Sequence, residues 1–587
     1  MKQRLGVIVG ILAAFLLGSF AISGTATAAD AGTSATKLEK RVKKAKKRAK
    51  VACKKVRKAK SKRARVKAKK RCKTARKKAQ KLRKKLKKQR AKQKRYNAQF
   101  FDVCQRGCKF RSIQQAADAA GAWQLKTKRK ATVRIQPGTY VEGVFLDGRN
   151  PAYDYNGLTI MGVKKDKTPN PDARAVILEG KDAKTIVDGQ PQEAQNAIEG
   201  RSIVGLKMKN MWARNYQSNT FFVWAQTTAK PTPQNPNPTP STERCADYVM
   251  DNLVSSDTRS YGLFARNCFG GKMINSEGWN HGDSAFYIGE TPCDSEAWTN
   301  KGDNPGPCQA NPKWTIIKNV KSHQNVLGYS GTNSKYVEIS DSAFFNNGAG
   351  IVPNTLDSEK FEPNGWLVFK NNDIFWNNYN YYSTGSEFQT VSNGLGKVAG
   401  ETVNYPIGIG IVLFGSDGVI SEGNRIFGNE KWGAMSFSAP GDFGANDGDD
   451  GKNMNNVFKD NELGRGGADP NGVDFLNDAT GGGNCWVNNG PNPTYQPGNG
   501  SMTLEQIYPS TCPTTPVLNK DVSSLNLTAG LQADLDNIMD PNTVLGYAAQ
   551  SPPQNMECSW LGNTHPPYTD AKGHTYEMKR ADPVVCP

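Results

Sequence analysis

The stretch Ile339–Pro353 reads ISDSAFFNNGAGIVP. It holds a short apolar strand, a turn on Asp341, a second strand at Phe344 and Phe345, an Asn-Asn turn, a small-residue step and a third strand. The same order recurs in MDNLVSSDTRSYGLFA (from Met250), MINSEGWNHGDSAFYI (from Met273), IKNVKSHQNVLGYSG (from Ile317), FKNNDIFWNNYNYYS (from Phe369), SEGNRIFGNEKWGAMSF (from Ser421) and FKDNELGRGGADPNGVDF (from Phe458). Asn252 to Asn275 is 23 residues and Asn319 to Asp341 is 22, and the longer gaps read as loops inserted into single turns of a coil. A sandwich would alternate hairpins with two-residue Asn-Gly or Asp-Gly loops, whereas here the likeness lies one whole period apart. That pattern predicts an all-β solenoid of parallel strands, each paired with its copy about 4.8 Å away, in roughly nine to eleven coils.

Two further segments extend the pattern towards the N-terminus. SIQQAADAA (Ser112 to Ala120) has helical spacing and ends near Gly121, and TVRIQPGTYVEG (from Thr132) is an alternating strand, a Pro-Gly turn and a second strand. With GDSAFYIGETPC (from Gly282) and NNGAGIVPN (from Asn346), these resemble the right-handed parallel β-helix repeat proteins of the pectin-lyase-like superfamily. The resemblance covers roughly 104–489 and implies a right-handed parallel β-helix with a short helix capping its N-terminal end. It implies less about activity, because that fold hosts lyases, hydrolases, epimerases and binding proteins. Of the elements its enzymes use, only Asn280-His281-Gly282 and Asp449-Asp450 have partial counterparts. The WIDH-like, NTD, RIK and Asp-Pro-His-Glu runs do not occur.

Several clusters remain as candidates for chemistry. His281, Asp283 and Glu290 lie close in sequence, and the next coil brings His323 near the level of His281, so these four are the candidate catalytic groups for general acid–base work. Against this stands the reading of all four as ordinary turn residues. WNNYNYYSTGSEF supplies Trp376, Tyr379, Tyr381 and Tyr382 as exposed rings for stacking on sugars, although alternate strand residues point inward and some rings belong to the core. Asp442, Asp447, Asp449 and Asp450 in DFGANDGDDGKN offer hard oxygen ligands for Ca²⁺, the one cofactor the sequence suggests, but without EF-hand spacing. Asn252, Asn275, Asn319, Asn372, Asn424 and Asn461 fall at coil corners and read as structural ladders.

The formal charge of +25 on 587 residues divides unevenly. Lys37 to Arg95 carries 35 Lys and Arg against one acid, Glu39, whereas the chain from Tyr96 onward has 41 basic and 51 acidic residues. Any polyanionic partner therefore belongs to the basic arm. Leu38, Val42, Ala45, Ala49, Ala52, Val56 and Ala59 form one heptad-like seam, and Ala68, Cys72, Ala75, Ala79, Leu82 and Leu86 form another. The two are mirror images about Ser61 to Arg63, which predicts an antiparallel helical hairpin with Cys53 beside Cys72. A solvated basic tail is the alternative. Nucleic acid fits the arm less well than an anionic wall or surface polymer, since no aromatics interleave the cations.

The N-terminus has a basic start, an apolar run from Leu5 to Ile22 and an Ala26-Thr27-Ala28 step, which reads as a secretory signal. Twelve cysteines suit an oxidising compartment. The candidates for bridging are Cys53 with Cys72, Cys104 with Cys108, Cys293 with Cys308, Cys485 with Cys512, and Cys558 with Cys586, with connectivity left open by the sequence. The expected organisation is a signal peptide over 1–28, the arm over 29–98, the β-helix over 99–489 and a Pro-rich, disulfide-stapled cap over 490–587. The cap is expected to close the C-terminal end of the coil, with one helix around Thr528 to Met539. Function reads as a secreted, envelope-associated protein that binds polysaccharide, or alternatively as a polysaccharide lyase, glycoside hydrolase or epimerase.

Overall fold

A computed structural model describes residues 28–97, 99–187, 189–229, 232–236, 239, 241–292, 312–356, 359–379, 407–438, 451–477, 481–497, 505, 508–512 and 563–579. The chain divides into two compact units, Met1–Gln99 and Phe100–Pro587.

In the first unit, helices α1 (Ala28–Arg57) and α2 (Lys62–Asn97) run antiparallel through a turn at 58–61. Ser61 Oγ accepts the backbone N–H of Ala64 at 3.2 Å, an N-cap that starts α2 immediately after the turn. Between residues 41 and 87 the side chains withdrawn from solvent are Val42, Ala45, Ala49, Ala52, Cys53, Val56, Ala59, Ala68, Cys72, Ala75, Ala79, Leu82 and Leu86. This is the seam legible in the sequence. Small residues let the two backbones approach, and the Cys53–Cys72 disulfide spans Cα atoms 4.7 Å apart. Every lysine and arginine described on this stretch faces water.

The second unit is a parallel β-helix. Each full coil contributes three strands, as in Thr315–Lys318, Lys321–His323 and Leu327–Thr332. Successive coils pair strand on strand in parallel register, so one of the sheets contains eleven strands running from Val144–Asp147 to Tyr495–Pro497. Inward positions stack into columns. Val133, Ile160, Met208, Met250, Met273, Ile317, Ile339, Phe369, Ser421, Phe458 and Trp486 occupy one column, with Ser421 its polar break. These columns merge into one hydrophobic core, capped at the N-terminal end by α3 (Ile113–Thr127). Ser112 caps α3, and Glu142 accepts the N–H groups of Ile113 and Gln114. The helix runs past Gly121, whose place reflects packing rather than termination: a Cβ there would sit 2.8 Å from the Tyr155 ring.

The corners are held by buried asparagines. Asn325, Asn347, Asn377, Asn429 and Asn471 form one ladder, each Nδ2–H donating to the next Oδ1 at 2.9–3.1 Å. Asn372, Asn424, Asn461 and Asn489 form a second, at 2.7–3.0 Å. The same Oδ1 also accepts the backbone N–H of the preceding asparagine, so each side chain replaces the strand hydrogen bond that the turn interrupts. The expected ladder members divide accordingly. Asn372, Asn424 and Asn461 are buried rungs, whereas Asn252, Asn275 and Asn319 take left-handed backbone outside the core and bond from coil to coil there, Asn252 donating to Asn210 at 3.0 Å and Asn319 to Asn275 at 2.9 Å.

Among the described cysteines, Cys104 bonds Cys108, Cys485 bonds Cys512, and Cys245 bonds Cys268 across two paired strands. Cys293, Cys308, Cys558 and Cys586 lie outside the described residues, as do the signal segment and the helix expected near Thr528. The cap differs in part from expectation. Tyr508 packs against Phe458 and Phe475 at the C-terminal end, but residues 563–579 lie along the flank of the coil.

The ladder geometry predicts that Asn377→Ala, which orphans two donors of Asn347, costs about 2–4 kcal/mol in denaturant unfolding, while at the exposed, left-handed turn residue Asp182 the change Asp182→Gly alters stability by under about 0.5 kcal/mol. Equal effects of the two substitutions would contradict the ladder's role.

Candidate functional site

The flank covered by residues 563–579 carries a column of outward rings. Trp279, His323, Phe345, Phe375 and Phe427 occupy equivalent positions on successive coils. Their ring centroids are 5.7, 5.0, 5.3 and 5.0 Å apart, with near-parallel planes. The rings therefore spend their faces on one another. Phe345, Phe375 and Phe427 make a cluster separate from the core and are buried beneath Tyr568 and Tyr576, which meet them edge-on. Trp279 and His323, nearer the N-terminal coils, stay half-buried.

Residues 563–579 form a strap whose attachment is mostly polar. His565 lies between two carboxylates, with Nδ1–H donating to Asp469 at 2.5 Å and Nε2–H to Glu430 at 3.0 Å. Burial alone would lower its pKa, but the hydrogen bonds from Asp469 and Glu430 prevail and hold it at about 9. The Trp376 indole donates to the other oxygen of Asp469, at 2.8 Å. Tyr568 donates to Asp373 at 2.6 Å, and Asp373 also pairs with Arg425. A short antiparallel hairpin, Tyr568–Thr569 with Thr575–Tyr576, ends the strap, and its turn is tied internally by Asp570 to His574 and Lys572. Lys572 Nζ reaches Asn319 Oδ1 at 2.6 Å and the Asp341 carbonyl at 2.8 Å.

Between this hairpin and the turn Pro171–Arg174 lies a polar cleft of about 300 Å³. Its floor includes Val254, Glu277, Lys321, Ala343 and Asp373, one outward residue from each of five successive strands. Arg174 donates to Glu277 at 2.6 Å, and His323 lies 3.4 Å from the other oxygen. Burial would raise the Glu277 pKa, but hydrogen bonds from His323 and Arg174 bring it down to about 2, so this carboxylate stays ionised. Lys321 differs from its neighbours: among the described residues its ammonium meets only the Tyr576 ring, 5.4 Å from the centroid. The cleft thus presents one uncommitted cation beside amide, hydroxyl and carboxylate groups.

The four candidate catalytic residues do not converge. His323 stands in register with Trp279, two residues before His281, and faces out on one sheet, whereas Asp283 and Glu290 flank the strand Ser284–Gly289 of another. His281 is fully buried, held by Thr258 at 2.7 Å and Ser255 at 3.1 Å, and burial lowers its pKa to about 3. Its backbone N–H donates to Asn325 Oδ1 at 3.0 Å, so it stands where the buried ladder would place one more asparagine. Asp283 is buried and pushed up to about 7 by that burial. Glu290 is buried against Arg266 at 2.7 Å. Nearby Glu359 is also raised to about 7, first by burial and then by Glu290.

The exposed-ring reading changes as well. Trp376 and Tyr379 are 0% and 2% exposed: the Trp376 ring lies 6.1 Å from that of His565 on the strap, and the Tyr379 N–H donates to the Asn347 carbonyl. Tyr381, Tyr382, Asp442, Asp447, Asp449 and Asp450 lie outside the described residues. Among the described residues no three His, Cys, Asp or Glu side chains are grouped to hold a metal ion, and no helix is long and apolar enough to cross a membrane. The cleft residues were missed because outward positions such as Glu277 and Lys321 look like any solvated strand residue. Nothing local in the sequence links Lys572 to a turn 253 residues earlier.

No protein-family model matches the chain, and no curated protein matches it. Among solved structures, the A-module of a mannuronan C-5 epimerase from Azotobacter vinelandii is similar over 66% of this chain and 92% of its own, at 11% identity and TM-score 0.34. The N-terminal fragment of bacteriophage Phi29 gene product 12 matches over 69% and 71%, at 9% identity and TM-score 0.34. The catalytic domain of a GH87 α-1,3-glucanase in complex with nigerose matches over 65% and 63%, at 12% identity and TM-score 0.29. These likenesses carry nothing about a site.

Two outcomes follow from the geometry. Because His565 is raised above its ordinary value of 6.5, its hold on the strap is complete below that pH and is lost as pH rises through about 9. Limited proteolysis should therefore cut residues 563–579 only above about pH 9 in the wild type, and at neutral pH in His565→Ala. Cutting that is independent of both would contradict the latch. Second, His281→Asn should fold with an unchanged melting temperature, because asparagine continues the ladder, whereas a loss equal to that of His281→Ala would contradict the ladder assignment.

Proposed function

We propose that this chain is an exported protein that binds saccharide in the cleft beside the strap and is held at an anionic surface polymer by its basic hairpin. The observation that carries the saccharide reading is the cleft's composition. Ionised Glu277, uncommitted Lys321, exposed His574 and the corner amides Asn275 and Asn319 line a concave wall rich in hydrogen-bonding groups and poor in apolar surface. Such a wall matches a polyhydroxylated ligand bearing charge better than an apolar one. Stacking on exposed rings is not part of this reading, because the ladder rings already face one another.

The arm supports tethering for a separate reason. Its cations surround a thin Ala seam on both helices, and like charges along each helix repel. A polyanion relieves that repulsion, so binding should weaken steeply with salt. The disulfides fit an oxidising compartment. The domain division over 1–28, 29–98, 99–489 and 490–587 belongs to the same proposal.

A second reading, a polysaccharide lyase, hydrolase or epimerase, has one observation in its favour. Glu359 and Asp283 keep carboxyl groups near 7, and an oxygen of each is buried without a hydrogen-bond partner among the described residues. Turnover abolished by Glu359→Gln would select it.

Binding of the full chain to a glycan array, compared with Lys321→Ala and Lys321→Arg, tests the first reading. Lys321→Ala should lose about ten-fold or more in affinity for charged glycans, and Lys321→Arg should keep most of it. Binding that is indifferent to Lys321 contradicts it.

A further inference from the structure

Resting on the saccharide reading of the cleft, we propose that it takes a short oligosaccharide or the end of a longer chain, and that Lys572 on the strap hairpin sets that limit. The open faces of a β-helix run the length of its axis, and an unobstructed one would let a polymer lie across many coils. Here both axial directions are walled. Towards the N-terminal coils, Asn252 Nδ2 donates to the Pro171 carbonyl at 3.0 Å and Arg174 reaches Glu277 at 2.6 Å, so the turn is fastened across the floor. The Arg174 guanidinium also lies 5.6 Å over the Trp279 ring. Towards the C-terminal coils, Lys572 is fastened to Asn319 and to the Asp341 carbonyl, and Tyr576 meets Phe345 edge-on at 4.8 Å.

The floor left between the walls centres on Glu277 and Lys321, which are partners in register on adjacent strands. One strand spacing is about 4.8 Å, so the strip suits a few sugar units and no more. The volume of about 300 Å³ lies at the small end of ligand pockets. The two walls differ in how they are built. The N-terminal one belongs to the coil itself, through Asn252 and Glu277. The C-terminal one is built by the hairpin residues Asp570, Lys572, His574 and Tyr576, of which exposed Lys572 reaches across to the corners at Asn319 and Asp341, while the strap is also anchored at His565, Tyr568 and Tyr576. Lys572 adds one attachment to these, so its removal opens this wall while the strap stays fastened at His565, Tyr568 and Tyr576.

Titration calorimetry on the full chain tests this with two probe series, oligogalacturonides and cello-oligosaccharides, each as dimer, tetramer and decamer. In whichever series binds, wild-type affinity should level off by the tetramer. Lys572→Ala should bind the decamer about ten-fold more tightly than the wild type does, with the dimer unchanged. A wild-type affinity that keeps climbing from tetramer to decamer overturns the length limit, and so does a Lys572→Ala variant indistinguishable from wild type on the decamer; either leaves the saccharide reading standing. Absence of binding to both series at every length, in both proteins, overturns the saccharide reading and the limit with it.

Discussion

The buried asparagine ladder is the interaction on which the rest of this protein depends. A solenoid must turn its backbone out of strand conformation at each corner, and every turn interrupts the hydrogen bonds between coils. An orphaned buried N–H costs about as much as several buried methylenes gain. Asn325, Asn347, Asn377, Asn429 and Asn471 close that gap by offering one oxygen to two donors of the coil before. Because the side chain must reach the next copy of itself, the ladder fixes the register of the coils. Register then fixes which outward residues become neighbours, including Glu277 with Lys321 and the column from Trp279 to Phe427.

That dependence explains what was legible in the sequence. The period came from residues that recur because the ladder and core demand them, such as the Asn-Asn turns of Ile339–Pro353 and its neighbours. The arm was legible for a similar reason: two mirror-related Ala seams have one simple way to meet, and Cys53 and Cys72 fall at the crossing. The site was much less legible. His281, one of four histidines, is a ladder position filled by imidazole, buried between Ser255 and Thr258. His323 is an outward ring in a stack. Trp376, an exposed ring by its sequence context, is buried against Asp469. Residue type alone does not say which face of a coil a side chain takes, and a one-position shift moves it to the other side.

The strap was the least legible element. Its attachments join residues far apart in the chain, among them His565 with Glu430 and Lys572 with Asn319, and no local period marks them. Yet it shapes the flank more than any coil does. It buries the distal rings, supplies a wall to the cleft and leaves only the proximal rungs accessible. The basic hairpin and the strap-walled cleft belong to separate compact units, so the tethering and the saccharide binding proposed for them are separable.

Hydroxyl-radical footprinting of the full chain, with and without a saturating oligosaccharide, tests the assignment of the cleft most directly. Protection should concentrate on Lys321, His574 and Tyr576. Protection at Tyr287 and Arg266 beside Glu359, with the cleft residues unchanged, would contradict it.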